Sequence, residues 1–165
     1  MEDRRRRTRP VLRFSRLADY GFLLLGCMLQ QQERLRAAPE LAAAAGLPLP
    51  VAAKVLKRLA RAGVLGSRRG AGGGYVLARS PWAVTVAEVI AALDGPVALT
   101  ACVEDGGGQC GVSALCPLRG RCGVVNDAVR AALESVTLAE MIGAAGVPGA
   151  VGAVGREGRK GDDGR

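Results

Sequence analysis

The chain has 165 residues, of which 49% are hydrophobic, enough apolar material for one folded domain with short extensions. Aromatic residues make up only 3%, which argues against a surface that reads single strands or sugars by ring stacking. The sequence contains no histidine, which excludes Ser-His-Asp and Cys-His catalysis and all histidine metal sites. We therefore do not expect an enzyme.

The net charge of +8 is unevenly distributed along the chain. Residues 1–82 contain 16 basic and 5 acidic side chains, whereas residues 83–165 contain 7 and 10. A basic half joined to a weakly acidic half indicates an anionic polymer as the partner of the first half. A basic surface that is merely solvated is the alternative.

No membrane or secretory segment is expected. The apolar run at residues 21–29 is too short to span a bilayer, and no small-residue cleavage site follows it. The sequence therefore predicts a cytoplasmic protein without a membrane partner. In that compartment clustered cysteines indicate metal or redox chemistry more often than structural disulfides.

The first half predicts a basic leader followed by a helix-turn-helix. Residues 1–11 read as disordered, and a helix runs from the N-cap Ser15 to about residue 31. A short helix over residues 39–45 and a second over residues 50–62 are separated by a tight turn. The second of these is basic on one face, as expected of a recognition helix.

Two short strands then predict a wing. Residues 64–69 and 75–79 flank a glycine run, and a nucleotide-binding loop is disfavoured because Tyr75 stands where such a loop needs its third glycine. Residues 12–82 are therefore predicted to form a winged-helix DNA-binding domain. The candidate contacts to double-stranded operator DNA are Lys54, Lys57, Arg58, Arg69, Gly72 and Tyr75.

The second half, residues 83–142, predicts a cysteine loop and a long dimerisation helix. Capping boxes precede a helix over residues 86–94 and a short helix at the end of the domain; their residues are Thr85 with Glu88 and Thr137 with Glu140. The long helix, about residues 120–135, has an apolar stripe formed by Val125, Ala128, Val129, Ala132 and Leu133. A partner helix covering this stripe predicts a homodimer, and packing on its own winged helix is the alternative. Residues 143–165 read as a disordered tail. The expected fold is mainly α, a winged helix-turn-helix with a two-stranded wing.

The cysteines point to a metal or redox site. Cys102, Cys110 and Cys116 lie in a glycine-rich loop before the long helix. Thiolates are soft ligands, and their wide spacing favours an iron–sulfur cluster over zinc, which more often uses close Cys-x-x-Cys pairs. Zinc, a thiol redox switch and inert cysteines remain open at this stage. Cys27, inside the first helix, reads as a small core residue.

Several motifs together resemble the IscR/NsrR-type winged-helix regulators, and among them the SUF-system iron–sulfur assembly regulators. The matching segments, which cover about residues 12–142, are Leu12-Arg13-Phe14-Ser15, Asp19-Tyr20, the basic helix at residues 54–59, the wing at residues 69–75, the segment at residues 89–102, the three cysteines and the segment at residues 136–141. The resemblance implies a dimeric regulator that reads a palindromic operator and holds an iron–sulfur cluster through Cys102, Cys110 and Cys116. We expect a 2Fe–2S cluster in preference to a 4Fe–4S cluster.

The fourth ligand has two candidates. Cys122 offers a thiolate, whereas Asp19 corresponds, by resemblance to the nitric-oxide-sensing branch, to a cluster ligand supplied by the partner subunit. Arg119 stands where one member of the family has a histidine ligand. The function expected is control of iron–sulfur assembly genes in response to cluster status. A cluster-free regulator that responds to thiol oxidation or to a metal is the alternative.

Overall fold

The computed structural model describes residues 13–30, 34–99, 103 and 121–143. The predicted leader, the predicted tail and the cysteines Cys102, Cys110 and Cys116 lie outside these residues. The elements in chain order are α1 (Arg16–Leu29), α2 (Ala38–Ala44), α3 (Leu49–Arg61), β1 (Leu65–Arg68), β2 (Gly74–Leu77), a 3-10 helix (Pro81–Ala83), α4 (Val86–Asp94), α5 (Cys122–Glu134) and α6 (Leu138–Ile142).

Helices α2 and α3 form the predicted helix-turn-helix, and α1 precedes them. Ser15 caps α1 as expected, because its Oγ accepts hydrogen bonds from the backbone N–H groups of Leu17 and Ala18 at 3.0 and 3.1 Å. Helix α1 ends two residues earlier than predicted, at Leu29. Helices α2 and α3 meet at a bend of 114°, within the range of helix-turn-helix pairs.

None of the described helices alone is long and apolar enough to cross a bilayer.

The predicted wing is a two-stranded antiparallel sheet. Strands β1 and β2 pair in a register that joins Leu65 to Leu77 and Arg68 to Gly74. Gly70 and Gly72, in the connecting loop, have positive φ angles of 95° and 75°, a backbone region that favours glycine. The predicted winged-helix fold is thereby confirmed.

A single aliphatic core joins the helices. Helix α3 contributes a fully buried row that packs between α1 and α4. The largest buried side chains are Leu24, Leu25, Leu41, Val55, Leu56, Leu59, Val64, Leu65, Val84, Val86, Leu93 and Leu138. Burial of such side chains stabilises the fold by about 1.5–3 kcal/mol each. Because the apolar face of α3 is buried in this core, the opposite, basic face points toward solvent.

Both predicted capping boxes are present and lie side by side. Thr85 and Thr137 form an isolated antiparallel bridge, in which Val86 N–H donates to the carbonyl of Val136 at 2.9 Å. In return Leu138 N–H donates to the carbonyl of Val84 at 2.8 Å. The start of α6 is therefore fastened to the start of α4.

Glu88 makes the stability of α4 depend on pH. Burial opposes ionisation, but hydrogen bonds from the Thr85 backbone N–H at 2.8 Å and from Arg79 at 2.7 Å outweigh it, so the pKa of Glu88 lies below its ordinary value. A depressed pKa stabilises the folded state above the unfolded pKa, and this contribution is lost as the pH falls through the folded pKa. We expect the free energy of unfolding to decrease as the pH falls below the ordinary pKa of glutamate, and to decrease less in Glu88→Gln, which retains a capping side chain. Urea unfolding at a series of pH values measures the free energy of unfolding of both proteins. Equal pH dependence in the wild type and in Glu88→Gln would contradict the lowered pKa of Glu88.

Helix α5 differs from its prediction. It has 13 residues, so the long C-terminal helix is not confirmed, and its apolar stripe is divided. Leu133 is half-buried against the core and Val129 is half-buried, whereas Val125 is 61% exposed and the alanines of the stripe are exposed too. The one buried residue of α5 is polar, Asn126. Its side chain, not an apolar one, faces the chain that leaves α4, a contact that apolar periodicity does not reveal.

Candidate DNA-binding surface and cysteine sites

The outer face of α3 carries the predicted recognition residues. Lys54 and Lys57 are exposed, one turn apart, and Arg61 follows them one further turn along the same face. None of these three side chains is paired with a described carboxylate, because the ion pairs within the described residues join Glu40 to Arg34 and Arg36, Glu88 to Arg79 and Glu134 to Arg130. Three unneutralised cations therefore point away from the core.

A basic groove of about 740 Å³ separates α3 from the wing. Lys57 and Arg61 line its helical side, and Arg68 and Arg69 line its wing side. Tyr75, which also lines the groove, is half-buried with its ring against the core. Cations on two facing walls create a field that favours a phosphate chain in the groove. Gly72, by contrast, lies exposed at the wing tip.

Arg58 is placed differently from its basic neighbours on α3. Its guanidinium is partly buried and donates to the backbone carbonyl of Leu93, in the last turn of α4. That carbonyl has no acceptor role within its helix, so a cation there satisfies an otherwise unpaired group. The Arg58 side chain thus bonds to another helix of the same chain. Its contact with DNA stays a prediction.

The base of the wing is held by a buried arginine that the sequence analysis did not single out. Arg36 is 8% exposed, and its guanidinium donates to the carbonyl of Cys27 at 2.8 Å and to Glu40 at 2.9 Å. Its backbone pairs with Tyr75 in both directions, at 3.0 and 2.9 Å. A Cβ at Gly74 would lie 2.5 Å from the Arg36 carbonyl oxygen, so only glycine permits this approach. The wing is therefore anchored to the α1–α2 connection.

The remaining cysteine-site candidates are spread over two elements. Asp19 is exposed on the first turn of α1. Cys122 is the first residue of α5 and is half-buried. Cys27, predicted as a core residue, is half-buried near the end of α1. Within the described residues no three His, Cys, Asp or Glu side chains come together as a metal site, and the three predicted thiolate ligands lie outside that part of the chain.

Two groove residues, Arg61 and Arg68, were not among the sequence candidates for DNA contact. Arg61 has a signal, because it continues the spacing of Lys54 and Lys57 by four residues. Arg68 has none, since alternation along a four-residue strand cannot tell which wing face meets α3. Arg36 has no signal either, because its burial depends on tertiary contacts.

A helix-turn-helix with a basic groove against a two-stranded wing defines a winged-helix DNA-binding protein. Residues 14–144 match the family model described as Rrf2, iron-dependent transcriptional regulator, and the chain belongs to this family. This confirms the resemblance to IscR/NsrR-type regulators, whereas the SUF-specific resemblance stays a prediction. The matched proteins are transcription regulators, not enzymes.

Relatives of several kinds match the chain. The transcriptional repressor NsrR of Streptomyces coelicolor is 31% identical over 140 residues, which cover 81% of this chain and 88% of the repressor. IscR of an Enterobacter species is 34% identical over 97 residues, 59% of this chain and 58% of IscR. Among solved structures, CymR, the global cysteine regulator of B. subtilis, is 27% identical with a TM-score of 0.59 and covers 81% of this chain and 98% of its own. IscR of T. potens is 27% identical with a TM-score of 0.58 and covers 81% and 88%.

Proposed function

We propose that this regulator binds a palindromic operator as a homodimer and changes its operator affinity with the state of an iron–sulfur cluster held by Cys102, Cys110 and Cys116. The observation that carries the DNA-binding mode is the basic groove between α3 and the wing. Residues 12–82 then form the DNA-binding domain and residues 83–142 the cluster-binding and dimerisation part. Control of iron–sulfur assembly genes and a cytoplasmic location belong to the same proposal.

In the proposed DNA complex, α3 enters the major groove and the wing grips the adjacent backbone. The exposed amino-terminal half of α3, including Lys54, faces base edges. Lys57 and Arg61 meet Arg68 and Arg69 across the groove, where one phosphate strand fits between two rows of cations. Gly72 and Tyr75 shape the wing, the first at its tip and the second at its base.

Replacing Arg69 by Ala tests the wing. If its guanidinium grips the phosphate strand in the basic groove, as proposed, Arg69→Ala lowers the affinity for operator and unrelated duplexes about equally and reduces the slope of log affinity against log salt by about one. A loss of about 1–3 kcal/mol with decreased discrimination would instead assign Arg69 to a narrow groove. Fluorescence anisotropy on the duplex that the wild-type chain enriches from a random pool measures both. Arg130→Ala, which removes an exposed arginine of α5 far from the groove lining, is the matched control. Unchanged affinity in Arg69→Ala would remove the wing from the interface.

The proposed dimer contact is the outer face of α5. Val124 is 74% and Val125 is 61% exposed, and exposed alanines continue this face along the helix. A contiguous apolar surface of this kind marks an interaction site in most proteins of this size. A two-fold axis beside α5 would bury this face against the same face of a second copy. The dimer would then have two recognition helices related by two-fold symmetry, as the two half-sites of a palindromic operator are.

The donor chemistry fits an iron–sulfur cluster. Three thiolates suit iron and sulfide, and the absence of histidine from the chain leaves a thiolate or a carboxylate as the fourth protein ligand. When bound, the cluster supplies sensitivity to iron, oxygen or nitric oxide. The chain contributes the ligands. Leu99, three residues before Cys102, donates its N–H to Asn126 of α5 and so connects the start of the cysteine segment to that helix. Family relatives IscR and NsrR support this part of the proposal.

For the fourth ligand we favour Asp19 of the partner subunit. Asp19 lies one turn after Ser15, the N-cap of α1, whose hydroxyl donates to Asp94 of α4. Asp19 is exposed, so the DNA-binding half presents this residue to solvent. We expect Asp19→Ala to alter the visible spectrum of anaerobically reconstituted protein and its operator affinity, whereas Cys122→Ala leaves both as in the wild type. Bleaching by Cys122→Ala with an unaltered Asp19→Ala protein would instead assign the ligand to Cys122.

A second candidate is a cluster-free regulator that responds to thiol oxidation. The similarity to CymR, a global cysteine regulator, favours it. The two candidates differ in a simple observation: a cluster-free chain stays colourless under full iron supply and changes its operator affinity on disulfide formation. An iron–sulfur regulator absorbs visible light when purified without oxygen.

A further inference from the structure

The C-terminal end of α4 is a junction between the recognition helix and the rest of the molecule. Arg58 of α3 donates to the carbonyl of Leu93, the penultimate residue of α4. The next residue, Asp94, accepts a hydrogen bond from the N-cap Ser15 of α1 at 2.7 Å. Two consecutive residues therefore fix the end of α4 to two helices of the DNA-binding domain.

The chain that leaves this junction is tied to α5. Gly95 ends α4 with a φ of 97°, and Leu99 N–H then donates to Asn126 Oδ1 at 3.1 Å. Asn126 is 4% exposed, although every other residue of α5 is half-buried or exposed. Because the Asn126 side chain is buried, breaking its hydrogen bond to Leu99 N–H would leave the amide oxygen unpaired away from water, and this cost holds the chain at Leu99 in place.

Arg58 is chemically suited to a link and poorly placed for DNA. Its neighbours Lys57 and Arg61 line the basic groove, whereas Arg58 does not. Its guanidinium meets a carbonyl in the last turn of α4, where the helix dipole favours a cation. Through this hydrogen bond Arg58 connects the end of α4 directly to α3.

We propose that Arg58 is a positioning residue, through which the connection between Asn126 of α5 and the end of α4 sets the placement of the recognition helix. The inference rests on the proposed DNA-binding surface. Arg58 then affects operator affinity through the position of α3 and does not itself contact DNA.

The test is a double-variant cycle on operator affinity in metal-free protein. We expect Arg58→Gln to lower the affinity for the selected duplex about tenfold and Asn126→Ala to lower it about fivefold, within the range known for couplings of this kind. The double variant should bind no more weakly than Arg58→Gln alone, because Asn126 acts through Arg58. Losses that multiply would overturn the inference.

Salt dependence separates positioning from phosphate contact. Arg58→Gln should leave the slope of log affinity against log salt unchanged, whereas the matched variant Arg61→Gln should reduce it by about one. A reduced slope in Arg58→Gln would overturn the inference. A wild-type slope and affinity in Arg61→Gln would contradict the proposed groove, and the cycle would still decide the role of Arg58.

A conservative variant excludes a general loss of folding. Arg58→Lys keeps a cation at the end of α4 and should recover most of the affinity lost in Arg58→Gln. Thermal unfolding of each variant shows what fraction is folded at the assay temperature. Equal loss in Arg58→Lys and Arg58→Gln, with both fully folded, would contradict a role for the cation at Leu93.

Discussion

Introducing Glu at both Val124 and Val125 is expected to convert the regulator from a dimer to a monomer. Both side chains are largely exposed within one chain, so the double change removes little packing from the monomer itself. In a dimer it would bury two like charges per chain against the same charges of the partner, which is strongly unfavourable. The mass measured by light scattering should fall to the 17.0 kDa of a single chain.

The same change should lower operator affinity at least about a hundredfold. A dimer binds the second half-site at a high effective concentration, an advantage of about 10²–10⁴ that a monomer loses. Ala83→Glu is the control for added negative charge, because it places one glutamate at an exposed residue of the 3-10 helix, outside α5. A variant that keeps twice the chain mass in solution would show that the dimer uses another face.

Replacing any one of Cys102, Cys110 and Cys116 by Ser is expected to abolish the visible absorption of anaerobically reconstituted protein. A hydroxyl is a far poorer ligand for iron than a thiolate, and each of these variants removes one of the three thiolates of the proposed ligand set. The iron bound per chain should fall at least about tenfold, since ligand loss costs metal sites one or more orders of magnitude.

Cys27→Ser is the matched control for these variants. Cys27 is half-buried near the end of α1, outside the cysteine segment, and its carbonyl rather than its thiol is engaged by Arg36. It should retain the wild-type spectrum. Absorption that survives in all three ligand variants, or disappears in Cys27→Ser, would contradict the proposed ligand set.

Local chemistry made the helix ends predictable from the sequence. Ser15, Thr85 and Thr137 were predicted as caps, and each accepts a hydrogen bond from the first turn of its helix. Helix α4 begins and ends where the sequence predicts, because a capping box and Gly95 bound it. Such signals lie within four residues of one another and need no tertiary information.

The roles of individual side chains on a helix were less predictable. Periodicity grouped Arg58 with Lys57 because both lie on the polar side of α3, yet Arg58 turns to α4 and Lys57 lines the groove. The stripe of α5 was predicted to be uniform, but Asn126 takes its buried place. Both outcomes depend on which neighbour lies opposite, which the sequence of one helix does not contain. The cysteine segment and its ligands remain predictions.

Coupling between the cluster and DNA is measured in one anaerobic sample, by following operator affinity and visible absorption before and after the chain is reconstituted with iron and sulfide. The duplex is again the one that the wild-type chain enriches from a random pool. We expect a coloured protein whose affinity for that duplex differs at least about tenfold between the two states, a coupling within the usual allosteric range. A protein that stays colourless, or one that binds the duplex equally in both states, would contradict it.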